Sequence, residues 1–115
     1  MLKDDEVRLR HMLDAAKQVI SFARNRTRAD LDVDQMLALS IVKCIEIIGE
    51  AASRISSEYQ AGCPTIEWAD IIAMRNRLIH AYFDIDLDRV WDTITDDLPP
   101  LIAELERVAS RFEEG

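Results

Sequence analysis

Within the run R-N-R-L-I-H-A-Y, from Arg75 to Tyr82, an arginine, an amide, a histidine and a phenol fall close together. Histidine titrates near neutrality, so it can take or give a proton in water. An arginine fork binds phosphate and steadies the charge that builds on it during transfer. If the run is helical, Asn76 and His80 share a face, and Ala69 and Ala73 on that side leave room beside the imidazole. Arg75 and His80 are further apart, about 140° around an ideal helix. They converge only if the helix ends near His80, or if they meet their counterparts across a symmetric dimer. Two readings stay open at this point. One is a catalytic pair; the other is an arginine and a histidine at a helix C-terminus, where the dipole favours cations.

Other stretches offer weaker chemistry. D-L-D-V-D from Asp30 and D-I-D-L-D from Asp84 imitate the start of a calcium loop. Such a loop needs Gly at its sixth position and Glu at its twelfth. The first stretch has Gln35 and Ile41 there, the second Arg89 and Thr95, so helix capping and surface charge explain the aspartates better. His11 sits among charged neighbours and reads as solvated, and Trp68 and Trp91 read as core. There is no glycine-rich phosphate loop and no HExxH motif. Cys44 and Cys63 form no CxxC pair, which argues against zinc and against a disulfide framework. No metal and no cofactor are expected. The net charge of −8 works against a nucleic-acid partner unless cations are clustered locally. Arg24, Arg26 and Arg28 form one candidate RNA-binding cluster, and Arg75 with Arg77 another.

The elements that must hold these residues read as helices. The 115 residues fit a single domain, nearly half of them hydrophobic, with only 3 Gly and 3 Pro to make turns. No apolar run approaches the roughly 20 residues of a membrane span, and the charged N-terminus is no signal peptide, so a cytoplasmic protein is expected. Leu9, Leu13, Ala16, Ile20 and Ala23 make one stripe on a first helix from Lys3 to about Arg24. A second helix is expected from about Val33 to Tyr59, striped by Leu37, Ile41, Cys44, Ile48, Ala52 and Ile55. Leu39, Val42, Ile45 and Ile47 add apolar surface outside that stripe, which points to a central helix or one that buries a second face in a partner. A third helix runs from about Ile66 to Ile79 or His80. A fourth follows Asp86 to about Phe112, kinked at Pro99 and Pro100. Short connections make this an all-α, antiparallel four-helix bundle.

R-N-R-L-I-H-A-Y resembles the R-x4-H-x-Y signature of the HEPN superfamily, with a polar residue directly after the arginine. I-I-G-E-A-A-S-R-I-S, M-R-N-R-L-I-H-A-Y-F-D-I-D-L-D-R-V-W-D-T and D-L-P-P-L, in this order, resemble its HepT-like branch over nearly the whole chain, residues 1–115. The resemblance implies a HEPN-like helical bundle acting as a metal-independent endoribonuclease toxin in a type VII-like toxin–antitoxin system. It makes Arg75, Asn76 and His80 the catalytic residues, set in a cleft between two protomers of a homodimer. It also implies an MNT-type nucleotidyltransferase as antitoxin, with Tyr82 as the residue that this partner adenylylates. The chemistry is coherent, because RNA carries its own nucleophile, the 2′-OH, and needs only a proton shuttle and a phosphate clamp. One histidine per chain is sparse for paired acid and base roles, and a two-fold dimer supplies two. The alternative is a non-catalytic helical subunit that serves a nucleotidyltransferase and binds a nucleotide near Arg75.

Overall fold

The computed structural model describes residues 2–81 and 84–114, with side chains for residues 3–74 and 85–111. The chain is mostly helical, in keeping with an all-α protein. Helix α1 (Leu2–Ala23) carries Asp4 and Asp5 in its first turn, where the dipole favours anions. It stops where Asn25 adopts a left-handed backbone, φ 62°, a conformation that Asn tolerates better than most residues. The Arg26 N–H then closes on the Ala23 carbonyl at 3.0 Å.

The second helix differs at both ends from its periodicity. A single turn, α2 (Asp30–Val33), comes first, and the Asp34 side chain accepts the Leu37 N–H at 3.1 Å to start α3 (Gln35–Arg54). At the far end Ile55 is extended, φ −74° and ψ 136°, and the Ser56 hydroxyl accepts the Tyr59 N–H at 3.1 Å. That cap opens a separate helix, α4 (Ser57–Ala61). The apolar pattern runs through the break because Ile55 is buried whether the backbone is helical or not.

Helix α5 (Trp68–Leu78) ends earlier than the expected Ile79 or His80. Ile79–Ala81 is extended as β1 and pairs antiparallel with β2 (Asp84–Ile85), setting Ile79 opposite Ile85 and Ala81 opposite Asp84. The run I-H-A-Y-F-D-I is rich in β-branched and aromatic residues, and such residues suit extended backbone. Helix α6 (Leu87–Asp92) leads through a π-helical turn (Thr93–Asp97) into α7 (Leu98–Glu114). Pro99 and Pro100 have no N–H to give the carbonyls one turn back, so the kink expected there takes the form of this wider turn.

The core gathers Leu9, Met12, Ala16 and Val19 of α1 against Ile41, Ile45 and Ile48 of α3 and Leu98 and Leu105 of α7, all fully buried. Each such Leu or Ile contributes about 1.5–3 kcal/mol by leaving water. Helix α1 packs on α3 and α7, and α3 packs on α5. Of the apolar residues outside the α3 stripe, Val42 and Ile45 are buried, whereas Leu39 and Ile47 stay 50% and 38% exposed. Among the described residues no helix is long and apolar enough to cross a membrane.

Candidate active site

The signature is carried by α5, so what seats α5 sets the signature. Trp68 opens the helix; its indole N–H donates to the Cys63 carbonyl at 3.1 Å. Trp68, Ile71 and Met74 recur every third residue and are all buried, which fixes one face of α5 against the core. Arg75, Asn76 and Arg77 lie on its last turn, and His80 lies in β1. The angle expected for a continuous helix between Arg75 and His80 therefore does not apply, because the chain straightens after Leu78. The side chains of Arg75, Asn76, Arg77 and His80, and the whole of Tyr82, lie outside the described residues.

The segment that follows β2 is held by aspartates. Asp86 accepts the Arg89 N–H at 3.1 Å and so caps α6. Asp88, on the first turn of α6, accepts from Arg28 Nε at 2.8 Å. Asp32 lies 3.1 Å from the same guanidinium, and the hydrogen bonds to Asp88 and Asp32 raise the Arg28 pKa. Arg28 thus ties the loop before α2 to the start of α6, immediately beyond the strand that pairs with β1. The arginine cluster and the signature consequently share one end of the molecule, where α3 begins.

The three arginines are not equivalent. Arg28 is held by two carboxylates, and Arg26 reaches Asp34 at 3.5 Å. Arg24 is exposed and makes no ion pair among the described residues. The aspartates that imitate calcium loops have other work: Asp34 and Asp86 cap helices, and Asp30 accepts the Thr27 N–H at 2.6 Å. Among the described residues no group of three or more His, Cys, Asp and Glu could hold a metal ion. Burial pushes the thiols of Cys44 and Cys63 up, which makes both poor nucleophiles.

A cavity of about 340 Å³ flanks the first turns of α5. Its rim includes Glu67, Asp70, Asp96, Asp97 and Glu104 over a floor of Ile71 and Leu98. The hydrogen bond and negative charge of Asp70 raise the Glu67 carboxyl above its usual range. This side of α5 is acidic. Sequence spacing missed two elements of this frame, the Arg28–Asp88 link and the Asp5–Ser56 contact, because each joins residues more than fifty positions apart.

Comparison with known proteins places the chain. The family model described as Ribonuclease HepT-like matches residues 12–108, which include the whole signature. A Thermococcus cleftensis protein named probable ribonuclease HepT is 31% identical over 87% of this chain and 91% of its own length. A Methanocaldococcus jannaschii protein whose name describes it as an inferred RNase is 30% identical over 92% of this chain and 97% of its own. A longer protein of the same organism, named for a gamma-glutamylcyclotransferase and an inferred RNase, is 28% identical over the full chain, which spans 52% of its length. No solved structure matches. The chain belongs to the ribonuclease HepT-like family.

Proposed function

We propose that this chain is a metal-independent endoribonuclease, the toxin of a type VII-like toxin–antitoxin pair, built on an antiparallel four-helix frame. The observation that carries the reading is the intact R-x4-H-x-Y run inside the region matched by the family. His80 moves the 2′-OH proton, Arg75 binds the scissile phosphate and stabilises its charge, and Asn76 orients one or the other. Two protomers pair so that both signatures face one cleft and supply both an acid and a base. An MNT-type nucleotidyltransferase neutralises the enzyme by adenylylating Tyr82.

The electrostatics of the described residues support an approach for RNA from one side. The acidic rim along the first turns of α5 repels a phosphate backbone, whereas at the signature end Arg24 is exposed and makes no ion pair among the described residues, Arg26 and Arg28 being held by aspartates. A second reading is favoured by the net charge of −8 and that same acidic rim. In it the chain is a non-catalytic helical subunit that binds a nucleotide near Arg75 beside a nucleotidyltransferase. Incubation of purified protein with labelled RNA, with and without EDTA, separates the two. Cleavage that survives EDTA and disappears in His80→Ala is expected; intact RNA under all conditions refutes the nuclease.

A further inference from the structure

All six exposed large apolar side chains among the described residues fall on α1 to α3: Val7, Phe22, Val33, Met36, Leu39 and Ile47. Val7 and Ile47 flank a groove of about 590 Å³ between α1 and α3. Its charges balance. Arg8, Lys43 and Arg54 face Asp4, Glu46 and Glu50, in a chain whose net charge is −8. Arg8 donates to the Arg54 carbonyl at 3.0 Å, and Arg54 pairs with Glu50 at 3.0 Å. Lys43 and Glu46, one turn apart on α3, make no ion pair among the described residues.

We propose that this groove takes a second copy of the chain, the two α3 helices crossing antiparallel about a two-fold axis near Ile47. Such an axis sets Lys43 against the partner's Glu50, with Glu46 near the axis beside its own counterpart, and symmetry repeats the pairing of Lys43 with Glu50 on the other side. Ile47 meets its own counterpart, and Val7 closes the apolar centre. The charge balance selects this occupant over others. A nucleic acid needs a cationic surface, which a balanced groove does not offer. Two chains of like net charge repel over most of their surfaces and approach best where each is locally neutral. The acidic rim beside α5 offers no such place. The groove lies toward the start of α1 and the end of α3, whereas the signature lies at the end where α3 begins. This contact is therefore separate from any pairing of signatures, and a chain with both would assemble beyond a dimer.

Sedimentation velocity at about 100 µM tests the proposal, with circular dichroism confirming the fold of each variant. The mass of Lys43→Glu should be half that of the unmodified chain, and so should that of the double variant Glu46→Lys with Glu50→Lys. Mixing these two variants should restore the original mass, because the reversed charges then meet across the interface. Ile47→Arg should halve the mass and gain nothing on mixing with either. An unmodified chain that stays monomeric, a Lys43→Glu variant that keeps the full mass, or a mixture that fails to reassociate each overturns the proposal. RNA cleavage in the same samples reports on the signature independently.

Discussion

Replacing Asp5 should reveal how firmly the first turn of α1 is bolted to the joint between α3 and α4. Asp5 is only 2% exposed, and its carboxylate accepts the Ser56 N–H at 2.9 Å and the Ser56 hydroxyl at 2.7 Å. Hydrogen bonds to a charged group contribute about 1.5–3 kcal/mol each. Ser56 itself is exposed, so water recovers part of that loss, and Asp5→Ala should cost about 2 kcal/mol in all. In urea unfolding followed by circular dichroism this moves the midpoint down by roughly 1.5 M. In a thermal melt it lowers the midpoint by roughly 8 °C. Burial alone would raise the Asp5 pKa, but the two bonds from Ser56 and the nearby Arg8 charge outweigh it and hold the carboxyl below its usual range. A depressed folded pKa means stability that is present above the unfolded value and lost as pH falls through the folded one. Asp5→Asn should accordingly be weaker than the unmodified chain at pH 7, and the gap should close on acidification below about pH 4. A loss under about 0.5 kcal/mol in Asp5→Ala, or a gap that does not change with pH, refutes the reasoning.

Three further outcomes are expected. Arg75→Ala and His80→Ala should each abolish RNA cleavage while keeping the helical circular dichroism spectrum; full cleavage by both folded variants removes their catalytic assignment. Tyr82→Phe should keep much of the cleavage yet resist neutralisation by the partner nucleotidyltransferase and ATP, checked by mass spectrometry for an added nucleotide on the unmodified chain. Ile48→Ala, at a fully buried position on α3, should lose about 3–4 kcal/mol in denaturant unfolding through the cavity it leaves.

Periodicity revealed the helical stripes because burial on one face is written directly into residue spacing. Every residue of the α3 stripe, from Leu37 to Ile55, is buried. It did not reveal where α3 stops. An apolar stripe continues through Ile55, and what breaks the helix is the Ser56 hydroxyl competing for a backbone N–H while Asp5 holds it from another helix. The end of α5 was obscured in a similar way. Helical spacing through Arg75 to His80 looks the same whether the last residues are wound or extended, and the choice falls to pairing with Asp84–Ile85. Candidate cations were legible as residue types only. That Arg28 is occupied by Asp88 depends on a contact across sixty positions, which no local pattern encodes.

The π-helical turn has a consequence for chain length. Val90, Ile94 and Leu98 are all buried and are separated by two successive steps of four. In an α-helix each such step overshoots a full turn by about 40°, so Leu98 would sit roughly 80° away from Val90. The wider winding of Thr93–Asp97, closed by the Leu98 N–H on the Thr93 carbonyl, absorbs that overshoot. The turn therefore holds one residue more than the same rotation needs. Deleting one residue between Thr93 and Asp97 would leave Leu98 about 700° from Val90, close to two whole turns of plain α-helix. Leu105 and Val108 would keep facing α1. The same deletion between Leu98 and Leu105 would swing Val108 about 100° off the core. Slack of a single residue is stored in this one turn, and the loss of one residue there passes without disturbing how α7 docks.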